Sequence, residues 1–73
     1  MDGRKVEKLS VREIEVLRYI AAGFTAKEVG VKLGIALDTI KTHIAGIRRK
    51  LKAKNSAHAV ALAFRQGILK WKE

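Results

Sequence analysis

Thr42, Ala45 and Arg49 recur at spacings that bring them to one side of a helix, with Lys41 on its flank, and these four carry the chemistry this chain has to offer. At about 100° per residue, Asp38, Thr42, Ala45, Gly46 and Arg49 share a side, while Ile40, Ile44, Ile47 and Leu51 form an apolar seam opposite. Lys41 and Arg48 flank the polar side on one edge, His43 and Lys50 on the other. Ammonium and guanidinium groups attract a polyanion and donate hydrogen bonds to its acceptors. Small residues in the middle let the helix approach a second surface closely. This is recognition chemistry, not bond making.

The charge balance favours the same partner. The net charge is +9, but residues 1–37 hold seven Lys/Arg against five Asp/Glu, whereas residues 38–73 hold nine against two. The excess, +2 in the first part and +7 in the second, builds from the polar-sided helix onward and points to nucleic acid. A solvated surface or an anionic lipid surface is the plainer alternative. Lys41 and Arg49 could donate to guanine O6 and N7 in a major groove; contact to phosphate would hold the protein without reading sequence. Arg48 suits a backbone phosphate. Thr42 could meet a thymine methyl, or only avoid a clash.

Other classes find little support. The chain has no cysteine and two histidines at unrelated places, His43 and His58, so neither a disulfide framework nor a metal site is expected. The longest apolar run, residues 59–64, is far short of the roughly 20 residues of a membrane span. His43 has no cysteine or serine partner at a suggestive spacing and reads as a packing or phosphate-facing residue. No cofactor, nucleotide loop or catalytic pair is indicated. At 73 residues there is room for one small domain.

The elements that must position this side are helical, with no proline and no strand pattern. Ser10-Val11-Arg12-Glu13 and Thr25-Ala26-Lys27-Glu28 read as capping boxes. The first opens a helix over about 11–22 with Ile14, Leu17 and Ala21 inward, stopped by Gly23. The second opens a helix to about Leu33 with Val29 and Leu33 inward, ended by Gly34. The third helix spans about 37–51, and its cap position, Ala36, has no side-chain acceptor. Ser56 is expected to cap a fourth helix over about 57–66, with Val60, Ala63 and Phe64 inward, Leu62 and His58 on the exposed side, and Gly67 as its stop. Ile68 and Leu69 can then fold back over the core. Thr25 and Lys27 stand at a helix start, where free amides and the dipole favour phosphate.

Leu9-Ser10-x-Arg12-Glu13-x-Glu15-Val16-Leu17 opens a longer pattern. It continues through Ala22-Gly23-x-Thr25-x-Lys27-Glu28-Val29, Leu33-Gly34-Ile35 and Thr39-Ile40-Lys41-Thr42-His43. It ends with Ile47, Lys50-Leu51, Ala59-Val60 and Gly67-Ile68-Leu69. In this order the chain resembles the LuxR/FixJ-type, or GerE-like, helix-turn-helix domain over residues 9–69. A charged lead, 1–8, and a basic tail, 70–73, would flank it.

The resemblance implies an all-α, four-helix domain that binds duplex DNA and regulates bacterial transcription in the cytoplasm. Its third helix would lie in the major groove. It implies groove-facing roles for Lys41, Thr42 and Ala45, and backbone contacts near Thr25, Lys27, Thr39 and His43. It also implies a dimer, at least on DNA, whose fourth-helix contact would include His58 and Leu62. Ala36, Ala45 and Ser56 depart from residues frequent in the family. Rival readings are a module that contacts RNA polymerase, like the related sigma-factor domain, and a basic RNA- or ribosome-associated protein. Met1 and the short lead suit a free-standing protein and the output domain of a longer regulator equally.

Overall fold

The computed structural model describes residues 7–70. Four helices, and among the described residues no strand, run in the order α1 (Val11–Ala21), α2 (Ala26–Leu33), α3 (Leu37–Leu51) and α4 (Ser56–Arg65). Helix α3 packs against each of the other three, and α1 does the same, while α2 and α4 lie apart on either side of that pair. The core between them is Val16, Leu17, Val29, Ile40, Ile47, Leu51, Ala59, Ala63 and Leu69.

Both expected capping boxes are formed. The Glu13 amide donates to Ser10 Oγ at 3.1 Å and the Ser10 amide to Glu13 Oε1 at 2.8 Å. Thr25 and Glu28 exchange the same pair at 3.1 and 2.9 Å. Gly34 adopts φ +68°, so the chain turns sharply from α2 into α3, and the Ile35 amide closes onto the Gly30 carbonyl at 2.9 Å. A β-carbon at Gly30 would stand 2.6 Å from the Ile35 carbonyl oxygen, a backbone atom that cannot swing aside. Only glycine lets α2 and the turn meet this closely.

Helix α3 starts without a side-chain cap, as Ala36 requires. Ala36→Ser is expected to add about 1 kcal/mol. A thermal midpoint that stays level or drops would contradict the missing cap.

The structure corrects several expectations. Helix α1 is rotated by about one residue from the expected phase: Glu13, Val16 and Leu17 are buried, Ile20 and Ala21 pack on the core, and Ile14 is only half-buried. Helix α4 is capped by Asn55, whose Oδ1 accepts from the His58 amide at 2.8 Å, and Ser56 is its first helical residue. The centre of its buried face is Ala59 and Ala63, with Val60, Phe64 and Leu62 half-buried around them. Leu62 therefore packs on the core and does not stand on an outer face. The turn after α3 uses no glycine: Lys52 takes φ +58°. Trp71, in the tail, lies outside the described residues.

Candidate nucleic-acid interface

The seam of α3 is held as its spacing predicts, with Ile40 and Ile47 at 0% and 1% exposure and Ile44 packed alongside. Anchoring that seam leaves the opposite side out. Asp38, Thr39, Lys41, Thr42, Ala45, Arg48 and Arg49 are all exposed. Thr42 Oγ1 donates to the Asp38 carbonyl at 3.1 Å, a bond back into its own helix. His43 is half-buried at the edge of the seam.

The basic residues at the end of α3 are less free than their spacing suggests. Arg48 Nη2 donates to the Lys54 carbonyl at 2.8 Å and ties the helix to the loop that follows it. Arg49 Nη1 meets Glu7 Oε1 at 2.8 Å, with both side chains largely exposed. Lys50 leaves the polar edge altogether: its Nζ lies 2.9 Å from Glu13 Oε1 and 3.4 Å from the Lys8 carbonyl. Gly46 belongs to the same contact, because a β-carbon there would stand 2.9 Å from Glu13 Oε2. Gly46 and Lys50 thus face α1 and leave the polar side to their neighbours.

Burial pulls the Glu13 pKa upward, but the Lys50 ammonium and the Ser10 amide and hydroxyl outweigh it, and the net shift is downward. The carboxylate is charged in a nearly closed position because a cation and two local donors hold it there.

At the start of α2, Thr25 and Lys27 are exposed. The capping box occupies the amides of Thr25 and Glu28, and those of Ala26 and Lys27 have no acceptor among the described residues. The Glu28 carboxylate weakens the positive end there, so any anion would rely on Lys27 as much as on the dipole. His58 is half-buried, and its Nδ1 accepts from the Lys54 amide at 3.0 Å, which leaves Nε2 to carry the ring proton.

What α1 through α4 assemble is a helix-turn-helix unit, α2 and α3 around Gly34, braced from behind by α1 and α4. The family model of bacterial regulatory proteins, luxR family, matches residues 7–63. This chain belongs to the luxR family. The transcriptional activator protein PhzR of Pseudomonas fluorescens is 40% identical over 62 residues, covering 85% of this chain and 25% of PhzR. The transcriptional regulatory protein LiaR of Bacillus subtilis is 41% identical over 63 residues, covering 86% of this chain and 30% of LiaR.

The luxR-family chain thus spans between a quarter and a third of these two relatives. Among solved structures, the response regulator ChrA of a heme-sensing two-component system superposes with a TM-score of 0.85 at 32% identity, over 93% of this chain and 34% of ChrA. The transcription factor GerE gives 0.81 at 25% identity, over 92% of this chain and 97% of GerE. The luxR-family helix-turn-helix domain is therefore the architecture and the family of this chain, which it shares with transcription regulators. The partners of Arg48, Arg49 and Lys50 are what the sequence did not reveal.

Proposed function

We propose that this domain binds double-stranded DNA sequence-specifically, as the DNA-binding part of a bacterial transcription regulator acting in the cytoplasm, with α3 in the major groove. The observation that carries the proposal is the exposed side of α3. Lys41, Thr42 and Ala45 stand clear while the isoleucines behind them are locked in the core. A helix anchored on one side and small in the middle of the other can enter a groove without rearranging. PhzR and LiaR are transcription regulators by name, and the length they have beyond this domain is consistent with an output module.

Lys41 is the candidate base reader on the flank, with no competing partner among the described residues. Arg49 would join it once Glu7 yields. Thr25, Lys27, Thr39, His43 and Arg48 are assigned to the phosphate backbone. One such domain covers a short half-site, so two copies on a two-fold site are the working form, meeting along α4 near His58. Sedimentation of the complex on a palindromic duplex should show two copies bound. A single copy at saturation would remove the dimer.

Selection from random duplexes tests the reading directly. Lys41→Ala should cost about 1–3 kcal/mol at one base position and flatten the preference there. Lys27→Ala should weaken every duplex about equally. If Lys41→Ala leaves the selected motif intact, lysine 41 does not read a base. If no duplex is enriched at all, the proposal fails.

A further inference from the structure

On the central stripe of the exposed side of α3, beside the free ammonium of Lys41 on its flank, Thr42 and Ala45 offer no free hydrogen-bond donor. Thr42 has a single polar hydrogen, and it is committed to the Asp38 carbonyl at 3.1 Å. Ala45 has none. Arg49, the next residue along the same stripe, has its Nη1 held by Glu7 at 2.8 Å and lies beyond the two small residues. Along the stripe that runs from Asp38 to Arg49 the helix therefore presents two methyl groups, those of Thr42 and Ala45.

In the major groove, guanine, adenine and cytosine are marked by polar atoms, and only thymine adds a methyl, at C5. 5-Methylcytosine carries the same methyl in the same place. Thr42 and Ala45 are separated by about 4.5 Å along a helix axis, comparable with the roughly 3.4 Å between successive bases of one strand. Two neighbouring pyrimidines can thus be met at once.

We propose that Thr42 and Ala45 form a methyl-reading pair that recognises the C5-methyl of neighbouring pyrimidines, in thymine and 5-methylcytosine alike. The inference rests on the duplex-DNA reading above and adds what that reading lacks: the chemical feature selected at the centre of the site. It also gives the domain a response to cytosine methylation. A cytosine in place of a contacted thymine weakens binding, and C5-methylation of that cytosine returns the lost contact.

The test uses fluorescence anisotropy on the duplex chosen by selection, with each thymine exchanged in turn for deoxyuridine, which removes only the methyl. At one or two positions the exchange should weaken binding about fourfold, the fold-change equivalent to about 0.8 kcal/mol for one buried carbon group. At the same positions, cytosine should bind more weakly than 5-methylcytosine by a similar factor. Thr42→Ser keeps the hydroxyl and loses the methyl, so the deoxyuridine penalty should vanish at one position. Thr42→Val keeps the methyl and loses the hydroxyl, so the penalty should remain. Far-ultraviolet circular dichroism establishes that both variants are folded.

Tight binding with no deoxyuridine-sensitive position overturns the methyl pair and leaves the DNA reading standing. So does a penalty that survives in Thr42→Ser and disappears in Thr42→Val, which would assign recognition to the hydroxyl oxygen. Absence of binding to any duplex overturns both.

Discussion

Lys50→Ala is expected to lower the stability of the domain by about 3 kcal/mol, the low end of the range for stripping one partner from a buried ion pair. For a domain of this size that is a fall in the thermal midpoint of about 12–24 °C. The low end applies because the pair is not fully enclosed, with side chains 19% and 10% exposed at Lys50 and Glu13. The loss is large because Glu13 stays behind. Its carboxylate caps α1 through Ser10, sits 7% exposed between α1 and α3, and has no other cation within reach among the described residues.

The pH dependence identifies the cause. The Glu13 pKa is lower in the folded protein than its ordinary value, because the ammonium and the Ser10 donors overcome the opposing effect of burial. A carboxylate with a depressed folded pKa contributes stability above its unfolded value, about 4.3 for glutamate. That contribution is lost as the pH falls through the lower, folded value. The gap between native and Lys50→Ala midpoints should therefore be widest at neutral pH and narrow below about pH 4. A gap that is constant from neutral pH down into the acid range would mean that Lys50 acts by packing its aliphatic stem and not by its charge.

That pair also shows where reading a sequence stops. Ser10 and Glu13 are three residues apart, so their capping box is a local pattern and is legible directly. Lys50 is 37 residues from Glu13 and becomes its partner only when α3 crosses α1. A charged residue at the centre of a buried face also disguises the phase of the helix. With Glu13 read only as a capping residue, Ile14 is taken as inward and Val16 is missed. In α4 the face is disguised by size: Ala59 and Ala63 lie deepest, while the larger Val60 and Phe64 flank them.

The expected cap of α4, Ser56, misses by one residue, because Asn55 takes that place. Asn55 stands three residues before the His58 amide, as Ser10 does before Glu13 and Thr25 before Glu28. On α3 the exposed position of Lys41, Thr42 and Ala45 follows from periodicity alone, because the seam opposite is made of strongly apolar residues. The committed state of Arg48, Arg49 and Lys50 depends on Lys54, Glu7 and Glu13. Those lie on other segments, and helical spacing says nothing about them.

Raising the salt concentration from 50 to 200 mM should weaken duplex binding by about 10³–10⁵-fold, the loss characteristic of six to ten phosphate contacts. Lys27, Lys41, Lys52 and Lys54 are exposed, and their ammonium groups have no hydrogen bond or ion pair among the described residues. With Lys41 assigned to a base, two copies of the other three can neutralise roughly six phosphates, and each neutralised phosphate adds about −0.9 to the slope of log affinity against log salt.

The residues already engaged should contribute differently. Lys50 is spent on Glu13, and Arg49 reaches a phosphate only by giving up Glu7, so that exchange releases less counterion than a free lysine would. Lys52→Ala should therefore flatten the slope by about 2 in a dimer, one contact in each copy. Arg49→Ala should flatten it less. Equal changes from the two variants would mean that Glu7 does not hold Arg49 in solution. A slope near zero in the native protein would mean that the basic second half of the chain does not meet the phosphates, and α3 could then no longer be placed in the groove on the strength of its charge.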